Sequence, residues 1–500
     1  MENMPPVRVR VAPSPTGHMH LGNIRTALYD YLLAKKTGGT FILRIEDTDL
    51  KRTVEGAEQE IFDGLRWLGL RYDEGPDVGG AFGPYRQTER RDIYRQHAQI
   101  LIDGGHAYPC FCSMERLAEM RARQQKQRLP PRYDGTCRKI DAREASLRVA
   151  DGAPHVVRFK VPTEGTTVAH DIVRGHIAVE NRNIDDYVLL KSDGLPTYHL
   201  GAMVDDHLMQ ITHVLRGAEW LSTFPLHVNV VRAFGWAEPA WVHLSLFLKP
   251  SGKGKMSKRD AADAIKDGHS IFVKDVQELG FIPEGVLNWI ALMGWGVPED
   301  DVMSLDQMIE RFDLRNLTPS PAAINFAKLD YFNGAHIRSL ALDDLAGRLA
   351  PHFARHGFPM EQQLLRQVTP LIQERIVTLQ DAPAMAGFFA RDDVEPIPEQ
   401  LIGKGLTVAS SAAISRDALG ILQGAPTWKA ANLEGAMRAY VAQAGLEAGQ
   451  VFGILRLAVT GQRVSPPLFE SIEIIGREKT LRRVSRAVAT LESLAKEEKT

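Results

Sequence analysis

Cysteine is scarce in this chain, long apolar runs are absent, and neither sign of charge dominates. Three cysteines in 500 residues cannot make a disulfide framework, and the odd count fits a reducing compartment. No apolar stretch is long enough to cross a membrane. The start, Met1-Glu2-Asn3-Met4-Pro5-Pro6, leads into an apolar strand and not into a signal peptide. A cytoplasmic protein with no membrane partner is expected. A net charge of −2 excludes a chain that binds nucleic acid through bulk charge alone. No tandem repeat runs through the half beyond Lys258.

What is there is enough for about three domains, because 500 residues exceed a single core. Val7–Ala12 alternates like a strand, Ile24–Lys36 has helical periodicity, and Thr40–Ile45 reads as a second strand. Strand, helix, strand in that order predicts a parallel βαβ unit, with ligands at the carboxyl ends of its strands. Short alternating runs at His155–Val161, Thr167–Asp171, His176–Glu180 and Asp186–Lys191 predict a smaller α/β insertion. Tyr198–Val204 and His213–Leu215 resume a buried-strand texture, so the first domain is split. Beyond Lys258 the periodicity is helical, with a Pro-containing joint at Val394–Gly405. Charge is patterned as well. Tyr85–Arg148 holds 14 Lys/Arg against 8 Asp/Glu, and Arg477, Lys479, Arg482, Arg483 and Arg486 form a second stripe. Either stripe can face phosphates or be a solvated helix face.

Two blocks carry chemistry. In Pro13–Asn23, prolines stiffen a turn, Gly17 permits a tight bend, and Gly22 leaves room for a flat base against the backbone. The helix that starts there turns its N–H groups toward phosphate oxygens, and His20 can donate to a phosphate as negative charge builds. The second block, Lys255-Met256-Ser257-Lys258-Arg259, lies in a Gly/Ser/Lys-rich loop after the apolar strand Trp241–Leu248. Lysine, a compact cation on a long stem, suits a clamp that follows moving phosphate charge.

These blocks resemble the HIGH and KMSK signatures of class I aminoacyl-tRNA synthetases, with Asn23 in place of the second histidine. Ala12–Asn23, Arg25-Thr26-Ala27-Leu28, Leu43–Asp49, Tyr198-His199-Leu200, Val204-Asp205-Asp206 and His213–Glu219 resemble the bacterial glutamyl-tRNA synthetase group in particular. The resemblance implies a split Rossmann-type catalytic domain with an α/β insertion, followed by helical C-terminal domains: α/β plus all-α. The implied boundaries are 1–105 and 196–260 for the catalytic halves and 106–195 for an insertion that guides the acceptor end. A helical stem-contact domain takes 261–335, and two anticodon-binding domains take 336–395 and 396–500. It implies a monomeric glutamate–tRNA ligase acting on L-glutamate, ATP with Mg²⁺, and tRNA(Glu).

For ATP the matching positions are Pro13, Thr16, Gly17, His20, Gly22, Asn23, Glu219, Lys255, Met256, Ser257, Lys258 and Arg259; His20, Lys255, Ser257 and Lys258 are the catalytic ones. For glutamate they are Arg10, Ala12, Ser14, Glu46, Tyr198, Ala202 and Arg216. Charge logic agrees, since glutamate needs two cations and one anion around it. Arg10 and Arg216 are expected to grip its carboxylates, with Arg216 on the side chain, and Glu46 to hold the ammonium.

Cys110, Cys112 and Cys137 match a zinc-binding pattern of some relatives. Lys139 stands where those carry a histidine, and Tyr133 is the candidate fourth ligand. Zinc and a metal-free cluster of reduced thiols both remain open. So do a non-discriminating enzyme that also charges tRNA(Gln) and a catalytically silent tRNA-binding paralogue. A glutaminyl enzyme is disfavoured by the helical second half, and a glutamyl-queuosine transferase by the length beyond Asn333.

Overall fold

Val9 and Val11 are buried on one short strand, β1 (Arg8–Val11), which pairs in parallel with β2 (Thr40–Leu43) in the register Arg8↔Thr40 to Val11↔Leu43. A parallel pair needs a crossover, and α1 (Leu21–Thr37) supplies it. The computed structural model describes residues 6–254, 258–298 and 301–497. Two compact units divide the chain: Met1–Val276 with Val286–Phe326, and Gln277–Gly285 with Ala327–Thr500. No helix among the described residues is long and apolar enough to cross a membrane.

After β2 the first unit continues with β3 (Ala107–Cys110), β4 (Val156–Phe159), β5 (Thr166–Asp171), β6 (Gly175–Glu180) and β7 (Val188–Leu190), followed by further strands. Strands β3, β4 and β7 make an antiparallel sheet. Strands β5 and β6 form a hairpin that joins β8 (His213–Gly217) and β9 (Ala240–Leu244) in the order β6-β5-β9-β8. The hairpin therefore belongs to the sheet of β8 and β9, although it lies in the stretch expected to be an insertion. Thr212, just before β8, donates its N–H to the Arg8 carbonyl at 2.9 Å, which sets β8 beside β1.

Tyr198–Val204 departs from its expected strand texture. It is the start of α2 (Tyr198–Leu208), and a short apolar run buried on all sides carries no period that separates helix from strand. The apolar run Trp241–Leu248 breaks at Ser245-Leu246 into β9 and β10 (Phe247–Leu248), and β10 pairs with β11 (Ala322–Ala323). That two-residue strand sits in a half of the chain without strand alternation in its sequence.

The second unit is helical. One apolar core gathers around Leu349, Phe353, Ile372 and Phe389, another around Leu422, Met437, Val459 and Leu491. The basic stripe near the end lies on α3 (Arg477–Glu497), and it is engaged within the unit. Lys479 pairs with Asp392 at 2.9 Å and Arg482 with Asp393 at 3.2 Å. Arg483 is buried and donates to the carbonyls of Val459, Phe388, Arg391 and Asp392. It thus stitches α3 to the turn that ends the first helical core. Loss of those donors would strand the buried carbonyls of Val459 and Phe388, so Arg483→Ala should destabilise the unit by about 2–4 kcal/mol. Arg483→Lys, with one nitrogen for four acceptors, should restore little. Denaturant unfolding of both variants would check this, and a parental midpoint for Arg483→Ala would disprove the clamp.

Candidate active site

The first helix begins where its sequence block predicts a turn. Gly17 has φ 148°, a conformation that side chains other than glycine rarely adopt. His20 is the N-cap of α1: its Nδ1 accepts from the Gly22 N–H at 2.9 Å. Because Nδ1 accepts, the ring proton sits on Nε2. Gly22 serves this cap as well as any nucleotide, since a Cβ there would come within 3.2 Å of His20 Nδ1. Asn23 is exposed and donates its N–H to the His20 carbonyl at 2.8 Å. Pro13 is buried, with its carbonyl accepting from the Glu46 N–H at 3.0 Å, while Ser14 and Thr16 are exposed. Glu219 is exposed in the turn after β8. Lys255, Met256 and Ser257 lie outside the described residues, as do the side chains of Lys258 and Arg259.

Below this rim lies a buried ionic network. Arg10 forks onto Asp206, with Nε to Oδ1 at 2.9 Å and Nη2 to Oδ2 at 3.2 Å, and its Nη1 donates to the Leu215 carbonyl. Arg44 donates to Asp206 at 2.7 Å and to Glu46 Oε1 at 3.1 Å. Asp205 accepts from Arg90 at 2.7 Å and from Gln87 and Tyr94 at 2.8 Å each. Burial works against the Asp206 charge, but Arg10 and Arg44 outweigh it and hold the carboxyl below its ordinary range. Burial wins at Glu46, whose carboxyl is raised despite Arg44 and Arg10. Asp30, fully buried on α1, has no partner for either oxygen among the described residues, and burial raises it well above the usual range.

Arg10 and Arg216 were alike in sequence and differ in surroundings. Arg216, near the end of β8, is buried; its Nε donates to His243 Nε2 at 3.0 Å and its Nη1 to the Tyr198 hydroxyl at 3.4 Å. Its Nη2 has no partner among the described residues. Tyr198 stacks on Trp220 with ring centroids 3.7 Å apart. Ala12 is half-buried. Ala202 is fully buried in an apolar cluster with Leu200, Met203 and Val204.

The sequence reading missed the partners behind Arg216. His243 and Asp171 are both fully buried, with Nδ1 and Oδ2 2.7 Å apart, and His199 Nδ1 lies 2.9 Å from His227 Nε2. A histidine inside an apolar strand, Trp241-Val242-His243-Leu244, was the available signal.

The three cysteine sulfurs lie within 4.8 Å of one another. The Tyr133 hydroxyl is 3.4 Å from both Cys110 and Cys112 Sγ, and Lys139 is exposed. Three thiols and a phenol oxygen converging in this way are a donor set that fits zinc.

Comparison with known proteins decides the family. Residues 6–331 match the model for the catalytic domain of class I tRNA synthetases (E and Q), and residues 344–488 match an anticodon-binding domain. A glutamate–tRNA ligase of Dehalococcoides mccartyi is 42% identical over 494 residues, covering 98% of this chain and 99% of that protein. The chain belongs to the glutamate–tRNA ligase family of class I synthetases. A glutamate–tRNA ligase of a Roseiflexus species is 43% identical, covering 97% of each chain. The crystal structure of a glutamate tRNA ligase from Elizabethkingia meningosepticum, in complex with its amino acid, superposes with a TM-score of 0.88 at 35% identity, over 97% of this chain and 99% of that one. Enzymes of this class use ATP and Mg²⁺, with tRNA and an amino acid as the other substrates.

The buried imidazoles set an acid limit on the catalytic unit. His199 is pushed down to about 4 by burial and then by Arg216; His243 is pushed to about 4 by burial, against its bond to Asp171. An unfolded imidazole titrates near ~6.5. As pH falls from there toward 4, the unfolded chain takes up protons that the folded one refuses, so stability falls. Thermal midpoints of the full chain should drop steadily from pH 7 to pH 5. A flat profile over that range would contradict neutral, buried imidazoles.

Proposed function

We propose that the chain activates L-glutamate with ATP and transfers it to the 3′-terminal adenosine of tRNA(Glu), with the residues around Arg216 forming the glutamate pocket. The unpartnered Arg216 Nη2, buried at the end of β8, carries this reading. A carboxylate delivered there would satisfy a guanidinium that otherwise has only neutral partners; an amide would leave the charge uncompensated. Arg216 therefore takes the side-chain carboxylate, with the Tyr198 hydroxyl beside it. Arg10 contributes to the ligand only through N–H directions that Asp206 and Leu215 leave over. Glu46, with Ser14 and Ala12 near the rim, faces the α-ammonium.

The chemistry needs little covalent help. The α-carboxylate attacks the α-phosphorus of ATP, pyrophosphate leaves, and the tRNA hydroxyl then displaces AMP from the mixed anhydride. His20, with its proton on Nε2, donates to the phosphate as charge develops, and Lys255 and Lys258 follow the departing pyrophosphate, with Ser257. Pro13, Thr16, Gly17, Gly22, Asn23, Glu219, Met256 and Arg259 surround the nucleotide. Mg²⁺ would neutralise phosphate charge. Zinc held by Cys110, Cys112, Cys137 and Tyr133 would brace the segment that meets the acceptor end. The tRNA-reading surface lies in the helical half, and the enzyme works as a cytoplasmic monomer.

Two measurements test this. Glutamate-dependent ATP–pyrophosphate exchange, run with tRNA(Glu), should fall by about a hundredfold or more in Arg216→Ala, through loss of a charge-assisted contact. Unchanged exchange would remove Arg216 from the pocket, and absence of exchange in the parent would point to a silent tRNA-binding paralogue. Metal analysis of freshly purified protein should find about one zinc per chain, lost in Cys112→Ser. Metal-free parent protein would leave the cysteines as reduced thiols.

A further inference from the structure

We propose that Asp171 and His243 are positioning residues for substrate selection: they hold the Arg216 guanidinium in the one orientation that presents Nη2 to the ligand. This rests on the reading of Arg216 as the glutamate receptor. Asp171 is anchored at every available lone-pair direction. Its Oδ1 accepts from the N–H groups of Val173 at 3.0 Å and Arg174 at 2.8 Å, and its Oδ2 accepts from His243 N–H at 2.9 Å and Nδ1–H at 2.7 Å.

That anchoring dictates the tautomer. With the proton held on Nδ1 by a carboxylate, Nε2 of His243 is a lone-pair acceptor, and it receives Arg216 Nε–H at 3.0 Å. A guanidinium is planar, so a fixed Nε–H fixes the directions of both Nη groups. Nη1 then falls to Tyr198, and Nη2 is the edge left to the ligand. The Phe224 ring meets the His243 ring edge-on at 4.7 Å, which stops the imidazole from turning.

The placement is not what a general structural ion pair would need. Asp171 closes β5, whose bridge to β9 pairs it with Trp241, and the next register position but one on β9 is His243, opposite Arg216 on β8. Three neighbouring strands thus hand one directional contact across the sheet toward the substrate. Holding Arg216 through a neutral imidazole, where Arg10 is held by a carboxylate, keeps its charge for the ligand.

Two substitutions separate positioning from scaffolding. Asn at 243 sets its amide where Nδ1 lies and can still partner Asp171, but it reaches nothing near Arg216. Gln sets an oxygen where Nε2 lies and can accept from Arg216 Nε–H. In ATP–pyrophosphate exchange on the full chain with tRNA(Glu), His243→Asn should raise the glutamate KM about tenfold to a hundredfold, leaving the ATP KM within about twofold. His243→Gln should recover most of that loss. An unchanged glutamate KM in His243→Asn, an equal rise in the KM of both substrates, or a His243→Gln as poor as His243→Asn would overturn the proposal. Arg216→Ala, assayed alongside, separates the two failures. If it too leaves the glutamate KM unchanged, the pocket reading has failed; if it alone raises that KM, only the positioning role has.

Discussion

Three guanidiniums and three carboxylates buried together hold the catalytic unit in shape. Arg10, Arg44 and Arg90 face Asp205, Asp206 and Glu46 within the fold, on segments far apart in the chain: β1, the stretch after β2, a short turn near Arg90, and α2. Such a network is a weak source of net stability, because desolvation offsets much of the attraction. Its directional contacts instead specify which strand end meets which helix. Removal of Asp206 would leave the Arg10 guanidinium without its carboxylate partner and Arg44 with one partner fewer, at a cost of about 3–5 kcal/mol. Asp30, with neither oxygen hydrogen-bonded among the described residues, shows the alternative: burial raises its carboxyl well above the usual range.

That network also leaves two arginines of similar sequence context in different surroundings. Arg10 is paired with a bidentate carboxylate. Arg216 has an imidazole nitrogen and a phenol oxygen as partners and no ion pair among the described residues. Asp206 and His243 can each orient a guanidinium. Only the neutral imidazole leaves the cation's charge unanswered and able to draw in an anionic group.

Much of this was legible before the structure, and the illegible part has physical causes. The βαβ start, the turn with His20 and the neighbouring Tyr198 and Arg216 lie in short local patterns. The helical second half was readable from its period. Asp171 and His243 were not, because 72 residues separate them and the hairpin that carries Asp171 reads as part of an insertion while pairing into the main sheet. Tyr198–Val204 read as a strand because an apolar run that is buried on all sides has no exposed face to mark its period. The stripe on α3 read equally as a phosphate-facing surface. Counting positive residues cannot reveal that Asp392 and Asp393, some 90 residues earlier, already face them.

The same contrast separates recognition from architecture across the molecule. Arg483 donates to carbonyls only, and Arg10 and Arg44 donate chiefly to carboxylates fixed in the fold. Arg216 is the buried arginine of this site with a guanidinium nitrogen unpartnered at its far end. A ligand that supplies two oxygens completes its fork, whereas one that supplies an amide meets N–H with N–H on one side and leaves a buried charge on the other. Under the proposed pocket, selection of the acid over its amide would then need no clash built against the amide. It follows from holding one cation rigidly, by neutral groups, in a place that water does not reach.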